Sequence, residues 1–385
     1  MKIYNSLSRR IEEFKSLNPK KVTIYVCGIT PYDTTHLGHA FTYISFDTLI
    51  RYLKFKGYGV IYTQNVTDIN DRDNDILQKA KEQNISWQEL SDYWTKKFLE
   101  DMTALNWIMP DNYLYASKEI PAMTNLIQKL LQKKLAYQVK ESVYLDISKF
   151  PDYGKLSKLS REKMLKKAKD FEEDLENKDK KNPLDITLWR ASTPNQPSHI
   201  PSFDSPFGPG RPGWHIECSA MATSTLGDQI DIHGGGIDLI FPHHEAEIAQ
   251  SEGATGKAPF VKYWIHNAAV TYQGKKMSKS EGNLVMVSKL LKKHSANAIR
   301  WLLLSRHYRK GWEFKEADLQ KAQQQVDLVE NSISHLRRGL IAQGGVTTNQ
   351  FISVMDNDLD TPKALQLLLK SPSKKIFEIL GFLQF

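Results

Sequence analysis

A strand–helix–strand unit near the N-terminus constrains the fold more than any other feature of the chain. Residues 22–27 read VTIYVC, a β-branched and aromatic run followed by Gly28, the pattern of a buried strand. Beyond Leu37, residues Ala40, Tyr43, Ile44, Asp47, Leu49 and Leu53 fall on helical spacing until Gly57 stops the helix. Residues 60–66, VIYTQNV, read as a second strand. Strand, helix and strand over about 45 residues make a βαβ unit, and a right-handed crossover sets its strands parallel.

The rest of the chain adds pieces around that unit. Residues 74–137 are mostly helical in pattern, and a short β stretch follows at 142–147. Residues 161–182 are dense in mixed charge and read as a solvated helix or linker. Residues 192–213 are rich in Pro, Ser and Gly and read as loop. A short strand returns at 230–233, the three glycines 234–236 read as a turn, and a helix starts near Pro242. Residues 315–385 are largely helical, and no internal repeat is visible. The expected fold class is α/β: a Rossmann-like parallel sheet split by an insertion, followed by an α-helical C-terminal domain. The expected division is 1–110 and 206–270 for the two halves of the catalytic domain, 111–205 for a connective insertion, 271–314 for a loop and stem-contact region, and 315–385 for the helical domain.

Composition narrows the setting. With 385 residues the chain is long enough for two or three domains. A net charge of +8 suits a polyanionic partner such as RNA, although Lys-rich chains are often basic for other reasons. Two cysteines, Cys27 and Cys218, are too few for a secreted disulfide scaffold. The start lacks the apolar core of a signal peptide and no run of about 18 apolar residues occurs, so a cytoplasmic protein without a membrane partner is expected.

Three groups of residues carry chemistry. His36-Leu37-Gly38-His39 follows the first strand at the start of a helix, where free N–H groups and the helix dipole attract phosphate. Two imidazoles there can donate to developing phosphate charge, and Gly38 allows a base to lie close to the backbone. Lys276-Met277-Ser278-Lys279-Ser280 brackets a small loop with two lysines, which can neutralise a leaving pyrophosphate. The third group is scattered: Cys27, Cys218, and the pair His243 and Glu247, which sit at i and i+4 on one helix face. These residue types suit a tetrahedral metal site, but spacing alone also allows two unconnected buried cysteines and a capped helix.

The first two groups, 240 residues apart, together resemble the signature pair of class I aminoacyl-tRNA synthetases. The segments YVCG at 25–28, PGWHIECSAM at 212–221 and HGGGIDLIFPHHE at 233–245 look like cysteinyl-tRNA synthetase. That resemblance implies one Zn²⁺ held by Cys27, Cys218, His243 and Glu247. It also implies ATP with Mg²⁺, and L-cysteine, as substrates. His36, His39, Lys276 and Lys279 would then stabilise charge in catalysis. Gly38, His233, Gly236, Asp238 and Lys279 would contact ATP, with Asp238 accepting from the ribose and His233 lining the same cleft. Thr67 and Trp214 would border the cysteine side chain, although Thr67-Asp68 is also a plain helix cap and Trp214 also a plain core residue. A thiophilic metal supplies selectivity over serine that pocket shape cannot, so no editing domain is expected.

The acceptor divides the resemblance. Stretches such as GITPYDTTHLGH at 28–39 and GNLVMVS at 282–288 look closer to a paralogue, the mycothiol-pathway ligase that joins cysteine to the amine of glucosaminyl-inositol. The chain also stops at Phe385, so a short form lacking an anticodon-binding domain is expected. Glu247, the basic balance and the Lys- and Asn-rich composition favour tRNA-Cys, approached at its acceptor end by a monomer.

Overall fold

A computed structural model describes residues 1–277, 281–337 and 347–383. Its centre is a five-stranded parallel sheet built from β1 (Lys21–Ile29), β2 (Gly59–Val66), β3 (Asn112–Tyr115), β4 (Ile230–Gly236) and β5 (Val261–Asn267), in the order β5-β4-β1-β2-β3. β1 is buried on both faces, which is why it reads as a continuous apolar run. Its side chains divide two cores. Val22, Ile24 and Val26 face the packing around helix α1 (Leu37–Phe55), while Tyr25 and Cys27 face α2 (Trp214–Leu226) and α3 (His243–Thr255). The chain leaves β1 toward β2 on one side and reaches β4 on the other. In such sheets ligands bind at the carboxyl ends of the strands where the order reverses, here the ends of β1 and β4.

Two glycines shape that point. The register between β1 and β2 slips between Val26 and Ile29. A Cβ on Gly28 would lie 1.5 Å from the Asn65 carbonyl oxygen, so only glycine lets the strands close there. Gly213, just before α2, passes so near the Thr187 carbonyl that a Cβ would sit 2.0 Å from it. This close pass starts α2 and delivers Trp214 to the cleft.

Residues between β3 and α2 form a four-stranded antiparallel sheet of Ala136–Val139, Ser142–Leu145, Ile186–Ala191 and Gly210–Pro212. The connection between its second and third strands is tied to α3 by Glu245, which accepts from the amides of Ser157 at 2.7 Å and Leu156 at 3.2 Å. After β5 come a two-residue strand, Lys275–Lys276, paired with Val270–Tyr272, then helix α4 (Ala296–Leu304) and the helices Glu316–Arg337, Thr348–Met355, Thr361–Lys370 and Lys374–Ile379. A buried ion pair joins this region to α1: Arg300 of α4 donates to Asp47, which also accepts from Arg51 at 2.9 Å and from the Ile108 amide at 2.8 Å. Among the described residues no helix is long and apolar enough to cross a membrane.

Two departures from the sequence reading touch the central sheet. The stretch 74–137 contains β3 as well as helices. The glycines 234–236 finish β4 rather than turning. A Cβ on Gly234 would meet the Phe46 ring at 2.1 Å, so these glycines admit a helix side chain against the sheet.

Candidate active site

A cleft of about 450 Å³ opens at the ends of β1 and β4, and its walls include Cys27, Cys218, His243, Trp214, His36 and Lys276. Its floor is a cluster of donor atoms. Sγ of Cys27 lies 3.8 Å from Sγ of Cys218 and 3.8 Å from Oε1 of Glu247, and Nε2 of His243 lies 3.2 Å from that same oxygen. One donor atom from each of these four buried residues lies within 4.8 Å of the others. A second grouping meets the same test and replaces Cys218 and His243 with His233 and His244. Two thiols, an imidazole and a carboxylate form a donor set that fits a divalent metal ion. Burial raises the Cys27 thiol and the Glu247 carboxyl well above their usual ranges and drives His243 and His244 well below theirs. Without a cation Cys27 and Glu247 therefore keep their protons, and metal binding would release them.

The histidines around this floor are chained to one another. His244 Nε2 lies 3.3 Å from Cys27 Sγ, and its Nδ1 lies 2.8 Å from His266 Nε2, whose other nitrogen is 2.8 Å from Ser6 Oγ. On the opposite side, His243 Nδ1 lies 2.8 Å from His215 Nδ1, and His215 Nε2 lies 3.1 Å from Glu173. Burial raises the Glu173 carboxyl, but the hydrogen bond from His215 and the charge of Arg72 outweigh it and hold the group at about 2. The Trp214 ring stacks on His243 at 4.4 Å, and the Arg72 guanidinium covers the ring at 3.9 Å. The Trp214 amide donates to Asp71 at 3.0 Å, which fixes where the ring begins.

At the rim, His36 is the N-cap of α1, and its Nδ1 accepts from the amides of Gly38 at 3.1 Å and His39 at 3.3 Å. Two amides that the sequence reading left for phosphate are thus taken by the imidazole. Accepting at Nδ1 leaves Nε2 as the ring nitrogen that carries a proton. The rings of His36 and His39 stack at 3.7 Å, and a Cβ on Gly38 would press on the His36 ring at 2.9 Å. Gly38 therefore makes room for this fold-back, whatever it does for a base. The segment after the lysine loop is stitched to the same place: the Leu37 amide donates to Val285 at 2.8 Å, and the Val287 amide donates to Thr35 at 2.9 Å. Lys276 pairs with Asp238 at 2.8 Å. Lys279 lies outside the described residues.

The remaining expected residues are placed as follows. Thr67 is buried on the cleft wall, where its hydroxyl accepts from Asn65 at 3.0 Å. Asp68 begins no helix and accepts instead from the Ser117 amide at 2.9 Å. Gly236 faces the cleft beside Asp238, whose carboxylate a Cβ on Gly236 would meet at 2.5 Å. His233 is the exception. It is fully buried behind the floor with Nε2 2.9 Å from Glu247, stacks on Trp264, and does not line the cleft. Strand alternation puts it on the Cys27 side of the sheet, under the cluster rather than beside an adenosine.

A family model described as the class I (C) tRNA synthetase catalytic domain matches residues 13–324. The chain belongs to that family. It is 46% identical over 369 residues to the cysteine–tRNA ligase of Dehalococcoides mccartyi, covering 95% of this chain and 78% of that protein. The corresponding protein of Thermodesulfovibrio yellowstonii is 43% identical, with 96% and 77% covered. That of Legionella pneumophila is 41% identical, with 99% and 85% covered. Among solved structures, the chain superposes on Mycobacterium tuberculosis methionyl-tRNA synthetase in complex with methionyl-adenylate with a TM-score of 0.65 at 15% identity, over 94% of this chain and 87% of that one. That likeness shows the α/β fold common to class I synthetases.

Sequence reasoning missed several residues within this family site. His215 and His244 sit inside quoted motifs, beside Trp214 and His243, but carried no assigned role. His266 and Asn65 gave no signal beyond their strands. Glu173 was hidden in the charged run, and only its approach to His215 reveals it.

Proposed function

We propose that the chain is a cysteine–tRNA ligase that forms cysteinyl-adenylate from cysteine and ATP and passes the cysteinyl group to tRNA-Cys. The observation that carries this reading is the thiol-rich cluster on the cleft floor, directly beneath the His36–His39 and Lys276 rim. Its relatives bear that name, and none of the cited relatives favours the small-amine acceptor.

Of the two donor groupings, Cys27, Cys218, His243 and Glu247 is the better zinc site. Its cysteines and His243 line the cleft, whereas His233 and His244 lie behind it. His244 and His233 would instead donate to Cys27 and Glu247 from outside the ligand set, as partners of metal ligands commonly do. A zinc ion held there supplies a thiophilic Lewis acid that favours a thiol side chain over a hydroxyl.

The chain's own residues would do the rest. Trp214 and Thr67 confine the cysteine side chain, and Asp238 accepts from the ribose hydroxyls beside Gly236. To do so Asp238 releases Lys276, which is then free to meet phosphate. The cysteine carboxylate attacks the α-phosphorus of Mg²⁺-bound ATP; an O–P bond forms and the bond to pyrophosphate breaks. His36 and His39 donate to the charged oxygens, and Lys276, with Lys279 by motif, neutralises the leaving pyrophosphate. A terminal ribose hydroxyl of the tRNA then attacks the activated carbonyl, and AMP leaves.

The test is ATP–pyrophosphate exchange on zinc-loaded protein with cysteine against serine, followed by label transfer to a tRNA-Cys transcript. Exchange with cysteine alone and charging of the transcript are expected. Cysteine-dependent exchange without charging would overturn the acceptor, and no exchange would overturn the activity.

A further inference from the structure

The segment between the two halves of the central sheet reaches the cleft through Phe171, which stacks on Trp214, and reaches the cluster behind it through Glu173. Glu173 follows the helix Arg161–Asp170 in the charged run and is 17% exposed. Its Oε1 lies 3.1 Å from His215 Nε2, and His215 Nδ1 lies 2.8 Å from His243 Nδ1. The order of atoms matters. A carboxylate only accepts, so His215 must donate from Nε2. In a neutral His215 the other nitrogen, Nδ1, is then an acceptor, and the proton between the two rings belongs to His243 Nδ1. That leaves His243 Nε2 with its lone pair exposed, and Nε2 is the nitrogen that faces Glu247 at 3.2 Å and the two cysteines.

We propose that Glu173 is a positioning residue for His243: acting through His215, it fixes the His243 tautomer so that Nε2 is the metal-ligating atom. This rests on the reading of Cys27, Cys218, His243 and Glu247 as the metal site. Arg72 lies 3.5 Å from Glu173 and balances its charge, while the same guanidinium covers Trp214. Outer partners of this kind typically change metal affinity by about 10–100-fold.

The test measures Zn²⁺ affinity by chelator competition on the whole protein, together with the visible spectrum of the Co²⁺-substituted form. Glu173→Leu removes the acceptor and is expected to weaken Zn²⁺ binding by about 10–100-fold and to alter the Co²⁺ bands. Glu173→Gln still accepts from His215 and is expected to stay within about fivefold of the parent, below that range. Arg72→Gln uncovers Trp214 without breaking the chain of rings and is expected to leave Zn²⁺ affinity near the parent value. Loss of affinity in Glu173→Gln equal to that in Glu173→Leu, or parent-like affinity in Glu173→Leu, overturns the proposal. Should Glu173→Leu fail to fold, ¹⁵N-histidine spectra of the metal-free parent decide: a proton on His243 Nδ1 supports the relay, and one on Nε2 overturns it. Failure of the underlying metal site would look different, since the parent itself would then bind no Zn²⁺.

Discussion

The floor and the rim of the cleft hold their charged groups in opposite ways. On the floor, Cys27, Cys218, His243 and Glu247 are buried, and their outer partners are themselves buried: histidines for Cys27, His243 and Glu247, and Asn65 for Cys218. At the rim, Lys276 and Asp238 have side chains 53% and 37% exposed and are joined by a single ion pair. A dry floor with fixed partners can distinguish substrates by one atom. A wet rim can exchange partners at each turnover, which ATP binding and pyrophosphate release require. On the proposed function, selectivity and group transfer would thus occupy different dielectric environments within one cleft.

Four measurements would break or sharpen that contrast. The largest effect is expected for Cys218→Ser: zinc content falls to a small fraction of one ion per chain by elemental analysis. Cysteine-dependent exchange falls by about 1000-fold, the loss of several kcal/mol of metal-derived stabilisation. Parent-like zinc content would show that the floor does not bind metal through this thiol. Next, Lys276→Ala and His39→Ala should each slow exchange by about 100-fold while zinc content stays unchanged. A fall in zinc as well would mean that rim and floor are not separable.

The third effect concerns pH. The Glu173 carboxyl is held at about 2, below the usual carboxylate value of about 4.3. A depressed folded-state value adds stability above the unfolded value, and that stability is lost as pH falls toward the folded one. The difference in Tm between the parent and Glu173→Gln should therefore be widest near pH 6 and shrink as pH drops toward 3. A constant difference would show that the carboxylate charge has no part in holding the floor. The smallest effect is expected at the rim. Asp238→Asn should shift stability in denaturant by less than about 1 kcal/mol, as exposed pairs do, while raising the KM for ATP.

The sequence disclosed these two regions unevenly. The rim motifs are contiguous runs that could be picked out one by one, but each alone also suits a solvated loop or a capped helix, and only their pairing resembles a known signature. The floor was legible only by resemblance, since Cys27, Cys218 and His243 come from three separate elements. α3 is buried on nearly all sides, so no polar stripe marked its period, and Pro242 alone marked its start. β3 was missed because its four half-buried residues lie between helices. His233 was misplaced because a two-residue period says which face a side chain takes but not what covers that face. Glu173 was invisible for a different reason: its neighbours along the chain are mostly charged, and the buried partner that gives it meaning is 42 residues away.

The Arg300–Asp47 pair has a consequence for anyone who wishes to dissect this chain. Asp47 sits in the middle of the helix that His36 caps and whose first turn carries His39, and its carboxylate is fully buried. A fragment ending before α4 would lose Arg300 and leave that carboxylate with Arg51 and one amide. Breaking a buried pair from one side typically costs about 3–5 kcal/mol, a large share of what holds a domain together. The α/β half is therefore not a detachable module, and deletion series that trim the helices back toward the sheet should lose folding before they lose any contact with substrate.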